Sequence, residues 1–511
     1  MPSRPNIVIF MTDQQRGVTV SGSHPLRALT PRLDAFANDT TTFCRGFTPS
    51  PHCCPARASF FTGLYPSEHG VWNNVNVPNA LSRGPREGVP FWSTDLAQAG
   101  YRLGFTGKWH VANRQGPSAY GWEELNAAPP FPVEPQSDDR QRAEAIASQR
   151  EILVRSSPSV IDGERRDGQI LRPGWPAWSL YGTRENPFGD DDVVDRGVKY
   201  IRSAPDDEPF ALYVGTLGPH DPYVPPQRFL DLYDPTEIEL PPTFVDDMAD
   251  KPAMYRRARD RFDQLTEREH RAALHHYLAF CSYEDELFGR LLDALVETGH
   301  YDNTIVLYVS DHGDYTGEHG LWAKGLPSFL PAYQVPMLIK DADRGPGQPR
   351  QVRVFERPTT LVDLGPTLLD LCGVAATSPM SGQSVAADLR SPDAPATRDL
   401  VFQSNGNEVY GIQRIVLTDR WKLVVNLFDD DELYDRETDP GEMVNLIARP
   451  AGQRRTLGRR ADDTVPEPFR PVVHDLYGRL WRFVLAHDDE ILNPYILTAL
   501  ATYGPLDQLR Q

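Results

Sequence analysis

The chain has 511 residues, 40% of them hydrophobic, and a formal net charge of −19. This much apolar side chain suits a folded globular protein and excludes extensive disorder, and the length suggests roughly two to four domains. The negative balance excludes a nucleic-acid partner, because phosphate binding needs clustered Lys and Arg; any anion site must be a local positive pocket in a negative body.

Proline is abundant, at 47 residues, and implies many long shaped loops. The five cysteines, Cys44, Cys53, Cys54, Cys281 and Cys372, are too sparse and too odd in number for a disulfide framework. No secretory apolar region precedes the first strand, and no apolar run approaches membrane-spanning length. The expectation is a cytoplasmic protein without a membrane partner, in a compartment that keeps thiols reduced.

The first predicted strand, Asn6 to Phe10, ends in the polar edge Met11-Thr12-Asp13-Gln14. In open α/β sheets, sites form at the carboxyl ends of parallel strands, which puts Asp13 and Gln14 at a privileged place. Further β-rich runs are Tyr101 to Thr106, Phe210 to Thr216 and Thr304 to Ser310. Each feeds a polar cluster: Gly107-Lys108-Trp109-His110, Gly218-Pro219-His220 and Asp311-His312-Gly313. Together these strand ends predict one composite site on one rim.

Helical periodicity runs from Asp191 to Ser203 and from Ala272 to Thr298. Strands alternating with helices predict an α/β domain with a mostly parallel sheet between helices over residues 1–386. Residues 112–187, rich in Pro, Gly, Ser and charge, read as an excursion over the site. From 387 to 511 the pattern changes. Val401 to Gln403, Gly411 to Leu417 and Trp421 to Leu427 are closely spaced strands, which predicts a smaller C-terminal α+β domain with an antiparallel sheet. A polar stretch, Ala451 to Glu467, precedes a helix with Val473, Leu476, Leu480 and Phe483 on one face. The apolar tail, Ile491 to Tyr503, packs on its own domain or on a neighbouring subunit, and a homo-oligomer is the expectation adopted.

The sharpest motif is Cys53-Cys54-Pro55-Ala56-Arg57, followed by Thr62-Gly63. Pro55 suits the first turn of a helix, whose N-terminus favours negative charge beside Cys53. Read alone, Cys53 is a small buried thiol. With the Thr-Gly and the polar clusters, the chain resembles the type I, formylglycine-dependent sulfatases of the alkaline phosphatase superfamily. Thr30 to Asp34, Leu64 to Gly70, Pro366 to Asp370 and Glu432 to Asp435, continuing to Asn445-Leu446, also look like framework segments of that family, read here as structural turns.

The resemblance implies an alkaline-phosphatase-like large domain and a chemistry for each cluster. Cys53 would be oxidised by a formylglycine-generating enzyme to formylglycine (3-oxoalanine), whose hydrate attacks sulfur and then expels sulfate. Arg57 would hold the hydrated group. Asp13, Gln14, Asp311 and His312, with the side chain at position 53, would bind one divalent metal ion. Lys108 would contact sulfate, and His110 would take the proton that allows sulfate to leave. His220 and Lys324 would flank the leaving oxygen, one or both supplying its proton, and Asn74 would hydrogen-bond the sulfate or the diol, with Asn73 and Asn76 as near alternatives.

The expected substrate is a small-molecule aryl or alkyl sulfate ester. Gln14 and His312 depart from the acidic residue and Asn of many relatives, which leaves Mn²⁺ beside Ca²⁺ as the metal. The same departures resemble phosphonate monoester hydrolases and choline sulfatases. A phosphonate monoester or phosphodiester hydrolase, and an inactive anion-binding relative with unmodified Cys53, therefore remain alternatives.

Overall fold

The computed structural model describes residues 4–20, 24–77, 79–126, 147, 165–172, 175–205, 207–342, 353–390, 397–407, 410–449, 464–493 and 496–506. In chain order the first strands are β1 (Asn6–Thr12), β2 (Thr41–Phe43), β3 (Gly46–Phe47), β4 (Arg102–Gly107), β5 (Glu123–Glu124), β6 (Gln169–Arg172), β7 (Trp175–Ser179) and β8 (Phe210–Gly215). They are followed by β9 (Thr304–Ser310), β10 (Met337–Lys340), β11 (Arg353–Phe355), β12 (Thr359–Thr360), β13 (Leu400–Gly406), β14 (Tyr410–Leu417), β15 (Trp421–Asn426) and β16 (Glu432–Asp435).

The large sheet has eight strands in the order β11-β2-β10-β9-β1-β8-β4-β5. All pairings are parallel except those of β10 with β9 and β2. The central strand explains the layering. Val8 and Phe10 face one core and Ile7, Ile9 and Met11 the other, the alternation a pleated strand imposes. A strand apolar on both faces needs cover on both. Val194 and Ile201 of the Asp190–Arg202 helix and Leu274 and Leu291 of the Glu267–Glu297 helix cover the first. Phe60 and Phe61 of the Cys53–Thr62 helix and Leu368 of the Leu364–Cys372 helix cover the second.

The long helix starts five residues before its apolar periodicity becomes visible. Thr266 N donates to Glu269 Oε2 at 2.8 Å and Glu269 N to Thr266 Oγ1 at 3.3 Å, a capping box that satisfies two orphan donors.

β13 to β16 form a separate antiparallel sheet, so the chain is a mixed α/β fold with a C-terminal antiparallel layer. Val416, Leu423 and Leu433 pack against Val473, Leu476 and Leu480 of the Arg470–Ala486 helix. Phe402, Ile415 and Tyr434 pack on the other face against Phe47, Phe329 and Tyr333. The sheet is thus held between its own helix and the large layer. Trp481 Nε1 donates to Tyr503 O at 2.8 Å, and Ile491 and Tyr503 are buried, so the apolar tail packs on its own chain.

Four segments read as turns contain regular elements, Leu64 to Gly70 among them with the Pro66–His69 helix. Glu432 to Asp435 is β16, because Leu433 and Tyr434 bury on opposite faces while the strand pairs with β15. Thr30 caps the Pro31–Ala37 helix, where Pro31 begins the first turn, and Pro366 to Asp370 lies inside the Leu364–Cys372 helix. The excursion contributes β5 and the β6–β7 hairpin, but most of it, like residues 451–463, lies outside the described residues. Among the described residues no helix is long and apolar enough to cross a membrane.

Candidate active site

Register brings the polar strand ends to one rim. Met11 lies opposite Gly215 on one side and Val309 on the other, and Gly107 lies opposite Gly215. Asp13-Gln14, Lys108, the turn leading to His220, and Asp311-His312 therefore leave the sheet side by side. Gly107 has φ 93°, and a Cβ there would fall 1.9 Å from Gly215 O, so only glycine lets Lys108 turn into the site.

The Cys53–Thr62 helix aims its first residue at this rim. His52 is its extended N-cap, and Ala56 N donates to His52 O at 3.1 Å around Pro55, which has no N–H to lose. Cys53 Sγ lies 3.2 Å from His312 Nε2 and 3.8 Å from Asp13 Oδ1. Arg57, one turn on, shares the face of Cys53. Its guanidinium is fully buried; Nε donates to Asp311 Oδ2 at 2.8 Å, Nη1 to Tyr213 OH at 2.9 Å and Lys108 O at 3.0 Å, and Nη2 to Asp13 Oδ2 at 3.3 Å.

Asp13, Cys53, Asp311 and His312 are all buried, each with a ligand atom within 4.8 Å of the others. His312 Nδ1 is 2.9 Å from Gly313 O, a contact that needs an N–H there and leaves the Nε2 lone pair facing Cys53. Two carboxylates and an oriented imidazole, with Arg57 behind them, fit a divalent cation. Gln14 N donates to Asp311 Oδ1 at 3.1 Å, but its side chain turns to other partners. Nε2 donates to Asp314 Oδ2 at 2.6 Å and Asp221 Oδ1 at 3.0 Å, while Oε1 accepts from Lys324 Nζ.

Lys108 Nζ pairs with Asp13 Oδ2, and Lys324 Nζ meets His220 Nε2. Burial and the neighbouring Cys53 push the Asp13 carboxyl up, yet Lys108, His220 and Arg57 together hold it below the usual carboxylate range. At Cys53, burial opposes ionisation, and the charges of Lys108, Lys324 and His312 outweigh it, leaving the thiol well below its ordinary value. The pocket therefore favours negative charge at position 53 despite the chain's overall sign. Burial and Lys324 work against a charged His220, but Asp221 and Asp13 raise it above the ordinary histidine value.

The sequence names Asn74 as a contact to the sulfate or the diol; its Oδ1 accepts from Cys54 N at 3.1 Å, satisfying a free N–H of the Cys53–Thr62 helix. Asn76 Oδ1 is 2.9 Å from His110 Nε2, and Asn73 Nδ2 donates to Asn407 O at 3.4 Å. Sequence reading passed over Asp221, Asp314 and Tyr213. Asp221 follows His220 directly and was the findable one. Tyr213 lies inside an apolar strand, where nothing distinguishes its hydroxyl from a core tyrosine.

The sulfatase family profile matches residues 5–374, and that of the N-sulphoglucosamine sulphohydrolase C-terminal region matches residues 317–458. The chain is 29% identical over 501 residues to the choline-sulfatase of Rhizobium meliloti, covering 94% of this chain and 90% of that one. It is 27% identical over 462 residues to the arylsulfatase of Clostridium perfringens, covering 87% of this chain and 90% of the relative. The crystal structure of the phosphonate monoester hydrolase of Agrobacterium radiobacter superposes with a TM-score of 0.70 at 22% identity, over 96% of this chain and 97% of that one, a likeness of fold.

Proposed function

Because the chain belongs to the sulfatase family, we propose that it hydrolyses aryl or small alkyl sulfate monoesters at the rim where Cys53, Asp13, Asp311 and His312 meet. The observation that carries this reading is the convergence of two carboxylates, an imidazole and two lysines on the side chain at position 53. Formylglycine made from Cys53 by a formylglycine-generating enzyme would supply the nucleophilic hydroxyl there. A divalent ion, Ca²⁺ or Mn²⁺, held by Asp13, Asp311, His312 and the position-53 side chain with Gln14 beside them, would supply positive charge against a sulfate oxygen.

The chain's own residues do the rest. Arg57 holds Asp13 and Asp311 in fixed directions and lends charge to position 53. Lys108 and Lys324, both mostly buried, offset the charge of the ester from two sides, where little water screens them. His220 lies against Lys324, with Nδ1 2.6 Å from Asp221 O, an N–H donor contact that turns Nε2 towards the leaving oxygen's side. It is the proton donor to the departing alcohol. His110, whose Nε2 is oriented by Asn76, takes the proton that releases sulfate. A cytoplasmic setting is part of the reading, supported by a cysteine set too sparse and too odd in number for a disulfide framework.

A second reading, hydrolysis of phosphonate monoesters or phosphodiesters, is favoured by one feature: position 14 is an amide, so the metal group carries one carboxylate fewer than a paired acid would give. Catalytic efficiency on matched aryl sulfate, aryl phosphonate and aryl phosphodiester, measured with metal-loaded protein, separates the two. Preference for the sulfate is expected; a marked preference for either phosphoryl ester overturns the first reading.

A further inference from the structure

Asp190 and Glu284 are both fully buried behind the turn that carries His220, and the chemistry above uses neither. Asp190 opens the Asp190–Arg202 helix and grips that turn with both oxygens. Oδ1 accepts from Leu217 N at 3.0 Å and Oδ2 from Gly218 N at 2.9 Å. On the opposite side, Gly218 O accepts from Asp13 N at 3.0 Å, and His220 N donates to Leu217 O at 3.0 Å. The turn is therefore pinned between a carboxylate with no role in the reaction and the backbone of a proposed metal ligand.

Glu284, from the middle of the Glu267–Glu297 helix, forms the floor beneath it. A Cβ on Gly218 would fall 2.0 Å from Glu284 Oε1 and 2.6 Å from the Phe280 ring, so the backbone rests directly on that carboxyl group. Taking both N–H groups is a task for an ionised carboxylate, which accepts with each oxygen. A second ionised carboxylate beside it would be costly without a cation between them. Arg290, on the same helix as Glu284, is committed to Asp191 at 2.7 Å and to Asp195, and Tyr283 OH also bonds Asp191, at 2.8 Å. Burial raises both carboxyls: Asp190 to about 7, against the pull of the Leu217 and Gly218 N–H groups, and Glu284, with the charge of Asp190 added, well above its ordinary value, so Glu284 is the neutral partner.

We infer that Asp190 is a positioning residue for His220: it fixes the Leu217–Pro219 turn so that the imidazole meets the leaving oxygen, with Glu284 as the neutral floor under that turn. This rests on the proposed role of His220 as proton donor. Asp190→Asn keeps one acceptor but sets an amide N–H₂ against a backbone N–H, releasing one of the two anchors.

The test measures kcat/KM for sulfate esters whose alcohols range from nitrophenol to a simple alkanol, in the wild type, Asp190→Asn, Glu284→Gln and His220→Ala. A nitrophenolate leaves without a proton, whereas an alkanol needs one. Asp190→Asn is expected to lose about tenfold or more on the alkyl ester and less than about threefold on the nitrophenyl ester. Glu284→Gln, which mimics the neutral acid, is expected to match the wild type on both. Equal losses on every alcohol, or none, for Asp190→Asn would overturn the positioning role. If His220→Ala itself shows no added dependence on the alcohol, the proton-donor reading fails instead, and the two failures are told apart. Should Asp190→Asn not accumulate as folded protein, Asp190→Ser, which also retains one acceptor, takes its place.

Discussion

Arg57 and Asp311 form an ion pair, Nε to Oδ2 at 2.8 Å, in which neither side chain is exposed to water. Such a pair stabilises only while both partners are present, because removing one leaves an uncompensated buried charge. Arg57 also reaches Asp13, Tyr213 and the Lys108 carbonyl, a set that its planar five-donor fork can satisfy and a lysine cannot. Arg57→Lys should therefore cost at least about a hundredfold in kcat/KM, in the range of losing one preorganised charge contact. Arg57→Ala should destabilise chelator-treated protein by about 3–5 kcal/mol in urea unfolding. A metal-loaded Arg57→Ala should lose less, since the ion then answers the two carboxylates.

Asp13 and Asp311, two carboxylates of like charge, lie close together beside His312. A bound divalent ion relieves that repulsion, so chelation should lower the thermal midpoint as well as the activity. Titration of the stripped protein with Ca²⁺ and Mn²⁺ is expected to restore both. His312→Asn replaces a nitrogen donor by an oxygen donor and should move preference from Mn²⁺ towards Ca²⁺. An unchanged preference would separate His312 from the ion.

Lys108 pairs with Asp13 beside position 53, where the proposed reaction needs charge offset during sulfuryl transfer. Lys108→Ala should lower kcat/KM on an aryl sulfate by about 10²–10³-fold. A loss confined to KM would instead assign it to ground-state binding alone.

His69 gives a pH prediction away from the site. Its Nδ1 accepts from Val71 N at 3.1 Å and its Nε2 lies 2.9 Å from Ser59 Oγ, so the ring is held neutral with no room for a second proton. Burial and the nearby Arg86 depress it to about 3. The unfolded ring, titrating near 6.5, binds a proton before the folded one does, so this contribution is complete above pH 6.5 and is lost as pH falls towards 3. Comparing urea unfolding of the wild type and His69→Gln from pH 7 to 4, the wild type should lose up to about 1.4 kcal/mol more per pH unit.

Which features were legible in sequence follows from how local their signals are. β1 and β9 each hold an unbroken run of five apolar side chains, Ile7–Met11 and Ile305–Val309, and each hands its polar end to the site; such runs need no partner to be recognised. β2, β10 and β11 are three or four residues long and become strands only through their neighbours, so the edge of the large sheet was invisible. Cys53, Arg57, Lys108 and His220 are polar residues in compact motifs. Asp190 and Glu284, far apart in the chain, look like surface acids on amphipathic helices, and only the packing of two helices against one turn brings them together. The contact of Asn74 Oδ1 with Cys54 N was not legible, because it depends on where the Cys53–Thr62 helix begins.

The account's central claim is that the side chain at position 53 is the nucleophile. Its most direct test is sulfate release from an aryl sulfate by metal-loaded Cys53→Ala beside wild type from the native host, with peptide mass spectrometry reporting formylglycine at that position. The account predicts formylglycine in the wild type and activity at background in the variant. Wild-type rates in Cys53→Ala, or an unmodified thiol throughout the active wild-type protein, would contradict it.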